Sequence, residues 1–375
     1  MYKLDYMQKD NYAAWEERQY TRETFAQLST YERLRHFVLL GHLAASAHNT
    51  QPWRFSIDEE KNVIHCSIDR SYILPASDKD GRQTVISLGC AIGNMSIGAL
   101  HFGYEPQVTI FENNQDIVKP LEAGDTQKIV PIADINFIYN ASTKEEEVYY
   151  TSIFVRKVIR TEYDLDQRLP ESYIESLEHM CQNTKVKLHS ITDTIRRISI
   201  AEFQGQADNF VINSKKFSRE LGEWLVPNDT DGYLGMPGSG FGLDQEQSTR
   251  LHEALLGMRP LEAEDGLRFS TGGKRGFEKS PYIGFITGEN DDIQNWIDTG
   301  ICFQKIFVDL TAKGYALAVH AGVVEVALIN KMFAVTLGTT RKILMLFRAG
   351  KIKKEEDMHR PHSPRLPLSH IIIDK

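Results

Sequence analysis

The sequence predicts an α+β chain made of two repeated halves, each combining a mixed or antiparallel sheet with flanking helices. Three observations carry that prediction. Short alternating runs such as VIHCSID (63–69), VKLHSI (186–191) and YIGFITG (282–288) have the period of strands, and long runs of helical period separate them. Two apolar helices, SLGCAIGNMSIGALHFGY (87–104) and DTGICFQKIFVDLTAKGY (298–315), carry glycine at the same places. Gly89 and Gly103 precede Tyr104 as Gly300 and Gly314 precede Tyr315, and both runs are apolar nearly all round, as a buried central helix should be. Finally, HNTQPWRF (48–55) aligns with QNTKVKLH (182–189), keeping the Asn-Thr pair between a helix and a strand.

In chain order, YERLRHFVLLGHLAASA (31–47) places Leu34, Phe37, Val38, Leu40 and Leu43 at helical spacing, with Ser29 or Thr30 as cap. Pro52 breaks that helix, and WRFSI (53–57) pairs with 63–69 as a hairpin turning near EEKN. A long helix is expected over about 80–102, then strands at QVTIF (107–111) and ADINFIY (133–139). The polar STKEEE (142–147) reads as a linker, dividing a first half, 1–145, from a second, 146–375. The second half opens with helices near 148–160 and 171–182, the strand 186–191 and a helix from about 193. Residues 227–281 hold the glycine-rich GYLGMPGSGFG (232–242) and STGGKRGF (270–277) around one helix at 245–257, the pattern of an inserted lid. A helix over 292–313 and an apolar strand KILMLFRAG (342–350) follow. The prolines at 361, 364 and 367 make HRPHSPRLPLSHIII (359–373) an extended strap.

Composition narrows the function classes. With 41% hydrophobic and 25% charged residues over 375 positions, the chain can bury a substantial core. A formal charge of −8 and the lack of a basic stripe argue against nucleic acid as partner. The four cysteines, Cys66, Cys90, Cys181 and Cys302, form neither CxxC pairs nor a zinc pattern and read as reduced and buried. No metal-ligand spacing recurs among the twelve histidines, so no metal is expected. The opening residues lack a leader's apolar stretch and no run is long enough for a membrane span, so a cytoplasmic protein without membrane contact is expected.

Two segments carry chemistry. AASAHNTQPWRF (44–55) concentrates amides and an indole, suited to a planar ligand rich in heteroatoms, although a plain helix-to-strand corner would also use them. FVRKVIRTEYD (154–164) sets Arg156 and Arg160 four apart, which on a helix would place both guanidinium groups on one face, with Lys157 on the flank. Such a pair suits a phosphate, while a solvated basic face paired with glutamates 145–147 fits the same spacing. In the first half the matching positions are Arg22 and Ala26, a broken pair. Arg365, on the strap, is a third candidate.

The run SAHNTQPWRF resembles the helix-to-strand turn of nitroreductase-like flavoproteins; FVRKVIR resembles that family's arginine-rich phosphate motif and SPRLP its returning C-terminal arginine. ILPASDKDGRQTVISLGCAIGN (73–94) and SPRLPL resemble segments of a branch of fused two-halved chains, the mycobacterial Acg proteins. The resemblance implies a nitroreductase-like fold packed as an intramolecular pseudo-dimer, monomeric as a chain, with one FMN between its halves. It implies that Ser46, His48, Asn49, Gln51 and Trp53 hold the ring and that Arg156, Arg160 and Arg365 hold the phosphate. His320 and Gly322 fall where the family has an acidic-glycine pair near flavin N5. The implied activity passes hydride from NAD(P)H through FMN to a small nitro- or quinone-type acceptor, and no side chain is singled out as catalytic. A storage protein whose lid covers the flavin is the alternative.

Overall fold

The computed structural model describes residues 9–143 and 145–374. Most of the N-terminal stretch read for a leader is described, but its first eight residues, and Lys144 in the expected linker, lie outside the described residues. The first half contains α1 (Arg22–Ala26), α2 (Thr30–His42), β1 (Trp53–Asp58), β2 (Val63–Asp69), α3 (Arg82–His101), β3 (Tyr104–Ile110) and β4 (Ile129–Tyr139). Ser29 starts α2 through a capping box, its amide donating to the Glu32 carboxylate at 2.8 Å while its hydroxyl accepts from the Glu32 amide. Ser29→Ala is expected to cost about 1 kcal/mol, the usual value of such a cap, measured as a lower urea midpoint. β1 and β2 form the expected hairpin, from Trp53 opposite Ile68 to Asp58 opposite Val63, and Asn62 takes the left-handed conformation that closes its turn.

The second half contains α4 (Glu147–Val155), α5 (Glu171–His179), β5 (Val186–Ile191), α6 (Thr194–Asn213), α7 (Lys215–Trp224), β6 (Leu225–Val226), β7 (Met236–Pro237), α8 (Gln245–Leu255) and α9 (Ala263–Glu278). It continues with β8 (Tyr282–Gly288), α10 (Ile293–Ala312), β9 (Ala316–Val319), α11 (Gly322–Glu325), α12 (Ala327–Thr336), β10 (Lys342–Gly350) and α13 (Leu368–Ile371). Its four-stranded sheet has the order β5-β8-β10-β9, the counterpart of β1-β2-β4-β3, and every pair in both is antiparallel. The four-residue turn between β1 and β2 corresponds in the second half to everything between β5 and β8. The extra segment therefore starts near residue 192, ahead of the expected 227, and holds four helices where one from about 193 and one at 245–257 were expected. STGGKRGF lies within α9. Its glycines permit close approach: a Cβ on Gly273 would fall 1.9 Å from the Asp208 carboxylate, and one on Gly276 about 2.8 Å from the Arg348 guanidinium.

The two central helices, α3 and α10, pack along their lengths, and the matched glycines explain how. A Cβ on Gly300 would lie 2.1 Å from the Ile86 carbonyl oxygen, and one on Gly89 would lie 2.5 Å from that of Ile297 and 3.0 Å from Gly300 Cα. One step along, the next matched pair also meets, Gly93 against the Gln304 side chain. Residues that contact their own counterparts lie on a local two-fold axis. Gly103 and Gly314 both take the left-handed conformation just beyond these helices, turning the chain into β3 and β9. α3 is long and apolar enough to cross a membrane, but 94% of its apolar window is buried inside this protein. All four cysteines are free and buried. The C-terminal strap crosses back to the first half, where the Ile373 amide donates to the Phe55 carbonyl at 2.8 Å and Ile372 bridges Phe55.

Candidate functional site

Between α2 and β1 the backbone is forced into an unusual shape. His48, Asn49 and Gln51 all have positive φ, at 47°, 58° and 50°. Each such non-glycine residue costs on the order of 1 kcal/mol or more, and the surroundings must hold it. The Ser87 hydroxyl accepts from the Ala47 amide at 3.1 Å, and the Ser46 hydroxyl accepts from the Gln51 amide at 3.2 Å. Asn49 Nδ2 donates to the carbonyls of Gly235 and Pro364, both at 2.9 Å, while its Oδ1 accepts from Arg365. Gln51 Nε2 donates to the Tyr233 carbonyl at 2.7 Å and its Oε1 accepts from the Leu366 amide at 2.8 Å. The two amides thus fasten the glycine-rich segment and the strap to this corner. Trp53 is fully buried, its indole donating to His42 Nδ1.

This corner forms one wall of a cavity of about 380 Å³ reached by both halves and by α6–α9. Of the residues singled out in the sequence, Ser46, His48, Asn49, Arg156, Arg160, His320, Gly322 and Arg365 line it. Gln51 and Trp53 do not; the expectation that they touch a ring is corrected, because Gln51 is spent on backbone and Trp53 on the core. The helical reading of the arginine pair is corrected too. α4 ends at Val155 and Arg156 is extended, so Arg156 and Arg160 share no helix face. The β-branched Val158 and Ile159 favour extension, and the Ile159 amide donates to the Leu317 carbonyl at 3.0 Å, adding this segment to β9.

Six cationic side chains nonetheless line the cavity, Arg250 of α8 and a group of five formed by Arg156, Lys157, Arg160, Arg348 and Arg365. Among the described residues none of that group of five forms an ion pair with a carboxylate. Arg156 Nη2 donates to the Leu43 carbonyl at 2.6 Å and Arg365 Nη2 to that of Ala44 at 2.9 Å, both at the carbonyl end of α2. Their guanidinium groups lie over Phe307 and Trp15, and the Nε of each is buried without a partner. Arg160 lies over Phe241, contributed by the inserted segment. Burial lowers Arg156 and Arg160 to about 10 and Lys157 to about 8, so all three are mainly charged at pH 7. Burial also pushes the Glu325 carboxyl up to about 7 and raises Asp208, which weakens the negative charge in the same cavity. Burial, then the Arg160 charge, holds His48 down at about 4, so its ring is neutral and its buried Nδ1 has no partner.

Sequence reading missed Arg348, Gln204 and Asp208. An arginine inside the apolar strand KILMLFRAG is a signal that could have revealed the first. Gln204 and Asp208 share a face of α6, where the Gln204 amide donates to the Asp208 carboxylate at 2.6 Å. Nothing in their spacing marks them out. An excess of buried positive charge facing a cavity of ligand size is the arrangement that receives an anionic small molecule.

Sequence comparison extends these observations. The Mycobacterium tuberculosis protein named "Putative NAD(P)H nitroreductase acg" is 21% identical over 345 residues, 91% of this chain and 96% of its own length. Over nearly its whole length the chain is thus similar to a protein named as a putative nitroreductase. An uncharacterized M. tuberculosis protein is 34% identical over 80 residues, a match spanning 21% of this chain and 23% of that one. No family model matches the chain. Solved structures similar to parts of it include the FMN-dependent nitroreductase NfnB from Mycobacterium smegmatis in complex with NADPH, at 16% identity and a TM-score of 0.41. That likeness covers 61% of this chain and 98% of NfnB. A nitroreductase with bound FMN from Bacteroides fragilis has a TM-score of 0.36 at 12% identity, over 62% of this chain and all of its own.

Proposed function

We propose that this chain is an oxidoreductase that binds one FMN between its halves and passes reducing equivalents from NAD(P)H to a nitro- or quinone-type acceptor. The observation that carries the reading is that Arg156, Lys157, Arg160, Arg348 and Arg365, none paired with a carboxylate among the described residues, share one cavity with the SAHN turn. The residues fit a flavin mononucleotide. Arg156 and Arg365, with free buried Nε atoms, suit its phosphate, and the aromatic and apolar wall suits its ring. FMN when bound supplies two-electron hydride chemistry.

On this reading the first half, 1–145, contributes the strained turn whose Ser46, His48 and Asn49 border the ring. The second half, 146–375, contributes the phosphate-binding cations. Asn49 acts by holding Arg365 and the strap, and Arg160 faces the same group from beneath the inserted segment. The helices α6–α9 exclude water from the cavity they help to line. That cover also favours the second reading, a protein that stores FMN and turns over little.

The test is to purify the chain with FMN, record its flavin spectrum, and follow NADPH oxidation with menadione or a nitroaromatic acceptor. Stoichiometric flavin with acceptor-dependent oxidation is expected. Tight flavin without oxidation would leave storage, and a colourless protein that takes up no FMN would overturn both.

A further inference from the structure

His320 has a proton arrangement fixed by its neighbour. Arg348, on β10 and 2% exposed, donates from Nε to His320 Nε2 at 2.9 Å. A guanidinium has no acceptor atom, so His320 Nε2 must present its lone pair. The one proton of the ring then sits on Nδ1, and the imidazolium form is excluded while that bond lasts. Arg348 is itself held: Nη1 donates to the Thr161 carbonyl at 2.7 Å and to the Ser280 hydroxyl at 3.2 Å, and the group lies over the Tyr163 ring. Gly276 on α9 leaves the room it needs. The His320 ring packs against Phe277 and borders the cavity, and among the described residues no hydrogen bond to Nδ1 is made.

We infer that Arg348 is a positioning residue that holds His320 as the neutral Nδ1–H tautomer, and that this N–H binds an oxygen atom of the electron acceptor. The ligand class is a planar aryl or quinoid compound presenting a carbonyl, nitro or phenolate oxygen. Three features favour oxygen as the recipient. Nδ1–H can only donate. The charges nearest the ring, on Arg348 and Arg160, are positive and hold His320 well below its usual range, second only to burial itself. Asp208 on α6, which faces Gly322 two residues further on, and Glu325 at the end of α11 are both kept toward their neutral forms by burial. An oxygen carrying negative charge is therefore favoured at this corner, away from the Arg156–Arg365 end.

The inference rests on the oxidoreductase reading for its ligand class, and two measurements separate their failures. In the FMN-loaded protein labelled with ¹⁵N-histidine, long-range ¹H–¹⁵N correlations should show His320 protonated at Nδ1 only, unchanged between pH 5.5 and 9. An Nε2-protonated or imidazolium signal at pH 7 would overturn the inference, and the same spectrum can be read if no flavin binds. The second probe is 4-nitrophenol, which needs no turnover and whose ionisation is visible by absorbance. It should bind as phenolate below its solution pKa. His320→Ala should weaken it by about tenfold to a hundredfold, the worth of one hydrogen bond to a charged oxygen, and His320→Asn should recover most of that. Equal affinity in wild type and His320→Ala would overturn the inference.

Discussion

Replacing both Arg156 and Arg365 by methionine is expected to strip the proposed FMN from the protein. Each guanidinium has a buried Nε with no partner and is otherwise bonded to a carbonyl at the end of α2 or, for Arg365, to Asn49 and its own segment. A charge-assisted bond to phosphate is worth roughly 1.5–3 kcal/mol, so losing two should weaken FMN by about a hundredfold to about ten-thousandfold. The substitution also removes the bonds to Leu43 and Ala44, so a fall in stability alone would not decide the matter. The comparison that decides it uses flavin titration alongside urea unfolding of the FMN-free proteins. The Arg156→Lys/Arg365→Lys protein keeps both charges but loses the two-pronged geometry, and should fall between wild type and the methionine pair. Unchanged flavin affinity in a folded methionine variant would place the phosphate elsewhere.

The arginines also show where sequence reading succeeds and fails. Their identity was legible because the motif is local, but their geometry was not. The i,i+4 argument assumed a helix, and a long-range bond from Ile159 to Leu317 extended the chain instead. Gln51 and Trp53 failed for a related reason. A side chain's amide or indole is visible in the sequence, but whether it faces a ligand or fastens a backbone 182 or 315 residues away is set by tertiary contacts. STGGKRGF was placed in the inserted segment outside its one expected helix, whereas it lies in α9, where Gly273 and Gly276 serve packing against α6 and Arg348. Strands fared better: 63–69, 186–191, 282–288 and 342–350 match their observed bounds, because alternation or a short apolar run bounded by turns is a local signal. The repeat was legible for a different reason. Close helix contact leaves glycine as the residue that fits, so the packing is written into the sequence twice.

That packing gives the prediction with the largest expected effect on stability. In Gly300→Ala the new Cβ would fall 2.1 Å from the Ile86 carbonyl oxygen and 2.7 Å from the Cys90 amide nitrogen. Both obstacles are backbone atoms of α3, so no side-chain rotation relieves them; the two helices must separate. Overpacking of a tight core costs about 1–3 kcal/mol and more where backbone must move, while alanine's helix propensity returns about 1 kcal/mol. The net expectation is a loss of at least about 2 kcal/mol, read as a lower urea midpoint, and a larger loss for Gly300→Leu. Gly272→Ala provides the control. It sits in α9 with nothing within 4 Å of the added carbon, so propensity alone should make it neutral or more stable by up to about 1 kcal/mol. Because the cavity draws its walls from both halves, Gly300→Ala should also weaken the proposed flavin binding. A Gly300→Ala protein as stable as wild type would mean that α3 and α10 have slack at their closest approach, and the steric account of the paired glycines would fall with it.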